Sequence, residues 1–199
     1  MTFQIVKPFQ IEIQGSIIDL IDLCIEAKND FDTSGELTLE KQEQIWLDAK
    51  DDRLTRSARI EGINARKGIT LDFANLNTLE ESILKNRDEL EVINLLKADN
   101  FLHQKAKDGD STISVELIKQ VHKIIVNDSP RYDHDELTPG KFAEATKTFP
   151  GARMVTGANW EPVYWENIES YMEEVCRLYN QSLGKTHSII LACWLHHVI

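Results

Sequence analysis

The sequence contains no run of eighteen or more apolar residues, and this absence argues against a membrane-spanning helix. The N-terminus MTFQIVKPFQIEIQGS has neither the basic start nor the apolar stretch that a secretory signal needs. We therefore expect a soluble protein that lies in the cytoplasm and has no membrane partner.

Cysteine is scarce as well. The three cysteines, Cys24, Cys176 and Cys193, are far apart in the sequence and form no C-x-x-C pair. An odd number at such spacings argues against a disulfide framework and against a zinc site. We expect three buried thiols and no metal site.

Basic residues are outnumbered, with 22 Lys and Arg against 33 Asp and Glu and a formal net charge of −11. Binding to a nucleic-acid backbone depends on clustered Lys and Arg, so no nucleic-acid partner is expected. A small basic pocket for a nucleotide phosphate is compatible with this charge, because one or two cationic side chains and a helix N-terminus can form it.

The apolar residues recur at spacings of three and four, which predicts a mainly α fold with one core, or one core and a small accessory bundle. Two helices are predicted near residues 16–29 and 37–62, with a turn-rich loop at 29–35. Four apolar stripes follow: Leu79 to Leu96 behind a Thr78–Glu81 capping box, Val115 to Ile125 behind the cap Ser114, Ile168 to Tyr179, and Ile189 to Val198.

Residues 138–162 break this helical pattern. Proline and glycine separate two short segments, Ala145 to Phe149 and Ala152 to Thr156. Such punctuation predicts a β-hairpin beside the helices.

One helix carries a motif that bears on chemistry, Ser57-Ala-Arg-Ile-Glu61-Gly62. Ser57 and Glu61 are four residues apart and therefore lie on one face of a helix. The hydroxyl can donate a hydrogen bond to the carboxylate and fix its direction. The simplest alternative is a solvated helix carboxylate with no further role.

Three further segments follow in order. They are Glu91-Val-Ile-Asn94 with Ala98, the helix 114–126 containing His122 with Thr138-Pro-Gly-Lys-Phe142 after it, and 162–180 followed by Leu195-His-His197. In this order the four segments resemble those of the Fic (Fido) family, whose members transfer AMP from ATP to a hydroxyl side chain of a target protein. Ala143 stands where the family usually has an arginine.

The resemblance implies a Fic-type helical domain with a β-hairpin flap, in which residues 1–105 form an N-terminal helical region with an inhibitory helix and 106–199 an incomplete core. In the family, the base, the magnesium ligand and the phosphate cradle belong to a loop HPFxDGNGR, and the chain ends at Ile199 before it. No catalytic residue is therefore assigned, and His196 and His197 are interpreted as helix packing. ATP and Mg²⁺ are expected in the complete enzyme, not bound tightly here.

By the same resemblance, Glu61 pairs with an arginine of the catalytic loop that otherwise holds the γ-phosphate of ATP. Ser57, Glu61 and Gly62 are then the inhibitory site of a self-inhibited enzyme. The flap would bind the target's main chain by adding a strand. Its expected target-binding residues are Thr146, Lys147, Thr148, Phe149, Arg153, Met154 and Val155.

The leading hypothesis is thus a protein adenylyltransferase (AMPylation enzyme) whose 199-residue chain is inactive alone. One alternative is a non-catalytic Fic-like binding or regulatory module, and another is a helical interaction protein with coincidental motifs. We also expect an exposed apolar face around Ile190, Trp194 and Val198, which would favour a homo-oligomer.

Overall fold

A computed structural model describes residues 5, 7–8, 15–34, 38–60, 62–76, 86–127, 139–142 and 165–199. These residues form seven α-helices and one short 3₁₀ turn, Trp165–Asn167. The helices are α1 (Gly15–Ser34), α2 (Leu39–Ile60), α3 (Ile69–Leu76), α4 (Arg87–Lys107), α5 (Val115–Val126), α6 (Ile168–Ser182) and α7 (Ser188–Val198).

The predicted mainly α fold is confirmed. No strand occurs within the described ranges, and the predicted hairpin segments at 145–149 and 152–156 lie outside them. The predicted capping box at Thr78 and Glu81 lies outside them too. The predicted cap at Ser114 is confirmed, because its Oγ accepts a hydrogen bond from the Leu117 amide at 3.1 Å.

Helix α1 is longer than predicted, since it continues through the segment 29–34 that was expected to be a turn-rich loop. Asn, Asp, Thr and Ser favour turns through local hydrogen bonds, but each of them also fits helical backbone at modest cost. No proline interrupts the segment. The turn prediction was therefore wrong for these residues.

Helix α4 lies at the centre of the packing and contacts α2, α3 and α5. Its side chains Val92 and Ile93 are fully buried. They form an apolar core cluster with one residue of α2 and three residues from the segment that leads into α3 and includes its first residue. These residues are Ala58, Ile63, Ala65 and Ile69. Burying aliphatic side chains of this size stabilises a fold by about 1.5–3 kcal/mol each.

Helix α3 was not predicted from the sequence. Its N-terminus is capped by Asp51, a buried residue of α2 whose carboxylate accepts hydrogen bonds from the amides of Gly68 at 2.9 Å and Thr70 at 3.2 Å. The Thr70 hydroxyl donates to the same carboxylate at 2.5 Å. Because the cap comes from a distant part of the chain, α3 carries no local start signal.

Helices α6 and α7 form a second cluster, in which Trp194 packs against Val175, Leu178 and Leu191. Trp194 is 4% exposed, so the expected exposed face around Ile190, Trp194 and Val198 is not found. Val198 packs against the same cluster and accepts, at its carbonyl, a hydrogen bond from the Tyr171 hydroxyl at 2.9 Å.

Exposed apolar side chains are instead numerous on α1. The exposed large aliphatic residues of this helix are Ile17, Ile18, Leu20, Leu23 and Ile25. Several neighbouring apolar side chains in water are a common property of association surfaces. The homo-oligomer remains a prediction.

The cysteines differ from one another. Cys176 is buried, and burial, together with the negative charge of Glu116, raises the pKa of its thiol. Cys24 and Cys193 are exposed, so the expectation of three buried thiols was wrong for these two.

Among the described helices, none combines the length and the apolar character that crossing a membrane would require.

An ion-pair network joins α2 to α4. Asp99 accepts from the Lys50 ammonium at 2.7 Å and from the Arg53 guanidinium at 2.6 Å, and the Lys50 side chain is only 4% exposed. Burial acts to raise the pKa of Asp99, but the hydrogen bonds from Arg53 and Lys50 outweigh it and leave this pKa below its ordinary value of 3.8. The ion pairs of Asp99 with Lys50 and Arg53 therefore stabilise the fold at neutral pH.

We expect Asp99→Asn to lower the free energy of unfolding by about 2 kcal/mol at pH 7, because a nearly buried ammonium loses its carboxylate. A depressed carboxylate pKa gives stability that is present above the unfolded pKa and lost as the pH falls through the folded pKa. The gap between wild type and variant should accordingly close as the pH falls below 4. Urea unfolding at several pH values measures both effects.

A control for this prediction is Asp52→Asn, which removes the exposed i,i+4 pair with Arg56. Such surface pairs contribute about 0–0.5 kcal/mol. Equal losses for the two variants, or a gap that does not depend on pH, would contradict the role given to Asp99.

Candidate functional site

The first motif, Ser57 to Gly62, lies at the end of α2. The structure describes Ser57 and Gly62, whereas Glu61 lies outside the described residues. Ser57 is exposed on α2. Gly62 follows the helix with φ +79°, the left-handed region that glycine enters without a Cβ penalty. The hydrogen bond expected between Ser57 and Glu61 stays a prediction.

Gly62 has a structural reason of its own. Its amide donates to the Arg59 carbonyl at 3.0 Å, and the amide of Ile63 donates to the Ala58 carbonyl at 3.0 Å. This pair of bonds is the Schellman motif, and the buried contact between Ile63 and Ala58 completes it. The glycine of the motif is thus explained by helix termination, whatever the function of the residue before it.

The segment after Gly62 is tied to the start of α4. The Asn64 amide donates to Asp88 Oδ2 at 2.7 Å, and Arg66 pairs with Glu89 at 3.2 Å. The hydrogen bond to Asp72, supported by the charges of Asp72 and Glu89, raises the pKa of the Arg66 guanidinium. The end of α2 is therefore held in a fixed position against α4.

The second motif lies on α4, and its three residues are all buried. Glu91 is 5% exposed and pairs with Arg87 one turn earlier at 3.3 Å. Ala98 is 4% exposed, at a position where a small side chain suits close packing of a neighbouring element. Asn94 is 1% exposed.

Asn94 acts on the end of α5. Its Nδ2 donates to the carbonyl of Ile125 at 3.2 Å and to that of Asn127 at 2.7 Å. The last carbonyls of a helix have no partner within the helix, so this amide supplies one. Asn94 Oδ1 is buried without a hydrogen-bond partner among the described residues.

The third motif joins α5 to the turn Pro139–Phe142. The Gly140 amide donates to His122 Nδ1 at 3.1 Å, which makes this imidazole an acceptor and places its proton on Nε2. Gly140 has φ +75°, and a Cβ here would lie 3.1 Å from the Lys119 carbonyl oxygen. Both the backbone conformation and the close approach to α5 call for glycine.

Phe142 fixes the far end of the turn. It packs against the cluster of Val115, Met172 and Cys176, which joins α5 to α6. The Lys119 ammonium lies 4.7 Å from the centre of the Phe142 ring, a cation–π contact. The turn therefore has anchors at its glycine and at its phenylalanine.

The structure thus brings the second and third motifs together around α4 and α5, with the end of α2 packed on α4. All of the predicted target-binding flap residues lie outside the described residues: Thr146, Lys147, Thr148, Phe149, Arg153, Met154 and Val155. His196 and His197 lie on α7, and both are exposed rather than buried by helix packing.

A cavity between these elements was not predicted from the sequence. Its volume is about 690 Å³, and it lies between α4, α5 and the Pro139–Phe142 turn. The lining residues that carry charge are all lysines: Lys97, Lys119, Lys123 and Lys141. The i,i+4 spacing of Lys119 and Lys123 could have indicated a shared face, but Lys97 and Lys141 join them only through the fold.

The described residues contain no group of three or more His, Cys, Asp and Glu side chains that could hold a metal ion. No family model, curated protein or solved structure matches the chain.

The two glycines allow a matched prediction. Gly62→Ala should lower the free energy of unfolding by about 1 kcal/mol, because alanine is strained at this φ although the space around it is open. Gly140→Ala adds a clash with the Lys119 carbonyl to the same backbone strain. It should therefore lower the free energy of unfolding by more than Gly62→Ala does. It should also speed hydrogen exchange at residue 140, as the bond to His122 weakens.

Urea unfolding and amide exchange test this pair of variants, and Gly15→Ala, at a helical position with open space, serves as the control. If Gly140→Ala costs no more than Gly62→Ala, the turn is not pressed against α5.

Proposed function

We propose that this chain is the front part of a Fic-type protein adenylyltransferase with an inhibitory glutamate at position 61, the next residue in the sequence after the end of α2. The complete enzyme would transfer AMP from ATP to a hydroxyl side chain of a target protein. The chain alone is inactive in this proposal, because the family's catalytic histidine, acidic metal ligand and phosphate-binding loop have no counterpart in it.

The observation that carries the proposal is the contact of His122 with Gly140. These two residues are 18 positions apart within the third motif, and one hydrogen bond of 3.1 Å joins them. Asn94, from the second motif, donates to carbonyls at the end of the same helix. The second and third motifs, which follow one another in the sequence, therefore also contact each other in space, and coincidental matches would not require this.

The way in which the residues on either side of position 61 are held supports the inhibitory role. The Schellman turn fixes the chain at Gly62 and Ile63, and the Asn64–Asp88 hydrogen bond anchors it to α4. A glutamate at position 61 is thus attached to fixed backbone on its C-terminal side. A carboxylate that pairs with a guanidinium prevents that guanidinium from binding a phosphate in the same bidentate way.

ATP and Mg²⁺ would be held by the catalytic loop of the complete enzyme, and no step through either group is assigned to the described residues. In the proposal, the chain's contribution is to exclude a productive triphosphate until Glu61 withdraws. Its second contribution is to present a flap at 146–155 to which a target's main chain adds as a strand.

The decisive variant is Glu61→Gln in the product of the complete gene. Glutamine keeps the size and the helix propensity of glutamate but loses the charge that holds a guanidinium. We expect automodification by radiolabelled ATP to rise at least tenfold. Transfer of label to the protein, measured with Mg²⁺ present, is the readout.

Glu40→Gln is the matched control, since it removes an exposed carboxylate from the opposite end of α2. It should leave labelling unchanged. Equal labelling of wild type and Glu61→Gln would sink the inhibitory role. Metal-dependent labelling by the 199-residue chain alone would contradict its inactivity, and a stable partner complex with no labelling by any variant would favour the regulatory module.

A further inference from the structure

The lysine-lined cavity between α4, α5 and the Pro139–Phe142 turn has a charge opposite to that of the chain. Among the described residues, four lysines and no carboxylate line it, although the whole chain carries a net charge of −11. A concave surface lined by one sign of charge concentrates ligands of the other sign. The volume of about 690 Å³ is in the range of small-molecule sites.

The four ammonium groups are not equally engaged. Lys119 pairs with Glu169 at 2.5 Å and contacts the Phe142 ring, and Lys97 lies 5.7 Å from the centre of the Phe73 ring. Lys123 and Lys141 are exposed, and no described carboxylate forms an ion pair with either. These two lysines therefore have the most to gain from an anionic ligand.

A second observation at the cavity is Asn94. Asn94 is one of the lining residues and is 1% exposed, and its Oδ1 is buried and accepts no hydrogen bond from the described residues. A buried acceptor without a partner costs about 1–3 kcal/mol. Its Nδ2 donates to the Ile125 and Asn127 carbonyls, so the amide orientation is fixed, and Oδ1 is the atom of this side chain that a donor entering from the cavity would satisfy.

We propose that this cavity binds a small phosphate-bearing molecule that also carries a hydroxyl group. The phosphates would lie among the lysines, with Lys123 and Lys141 as the main contacts, and the hydroxyl would donate to Asn94. Lysine binds phosphate as a compact point charge with three donors, so no single geometry of the phosphates is required. The proposal goes beyond AMP transfer, because neither Ser57 nor Gly62 lines the cavity.

The experiment titrates the whole chain with two probes. Fructose 1,6-bisphosphate carries two phosphates and several alcohol groups, whereas inorganic pyrophosphate carries two phosphates and no alcohol group. Calorimetry at low ionic strength measures both. We expect saturable binding of both probes, with the bisphosphate tighter. The double variant Lys123→Gln, Lys141→Gln should weaken each at least tenfold.

The matched control is the double variant Lys67→Gln, Lys185→Gln, which changes the net charge by the same amount at two exposed lysines outside the cavity. It should bind both probes like wild type. Absence of saturable binding by wild type, or an equal loss in the two double variants, would overturn the proposal. Equal affinity for the two probes would overturn the role of Asn94 as an acceptor. All substituted lysines are exposed, and unfolding midpoints confirm that each variant is folded.

Discussion

The carboxamide of Asn94 is the contact on which the arrangement of α5 and the Pro139–Phe142 turn depends. It holds the last carbonyls of α5 from within the buried face of α4. Helix α5 in turn carries His122, which receives the Gly140 amide, and Lys119, which covers the Phe142 ring. Substitution of Asn94 would therefore also weaken the contacts of the Pro139–Phe142 turn, although Asn94 forms no hydrogen bond with the turn itself.

On the other side of α4, a buried carboxylate likewise holds two helices together. Asp51 lies within α2 and satisfies the amides that open α3, so neither helix can move without leaving polar groups unpaired. Unpaired buried polar groups are costly, which makes such a contact specific as well as stabilising. The end of α2, with the Ser57 motif, is positioned by this contact and by the anchor at Asp88.

The sequence predicts those parts of the fold that depend on neighbours along the chain. The start of α5 follows from Ser114, whose hydroxyl caps the very next turn, and the end of α2 follows from Gly62. Helix α3 escapes prediction because its cap is contributed by Asp51, 18 residues before the helix begins. The lysine cavity escapes for the same reason, since three separate elements contribute its charges.

The residues of the α2 motif differ in what they say about function. Gly62 is required by the Schellman turn, and Ile63 packs against Ala58 for the same reason, so a glycine here would be expected in any helix that ends this way. Ser57 has no such explanation, because it is exposed in the middle of the last turns and makes no described hydrogen bond through its side chain. An exposed serine is slightly unfavourable in a helix interior. The case for function at this motif therefore rests on Ser57 and Glu61, and the glycine adds nothing to it.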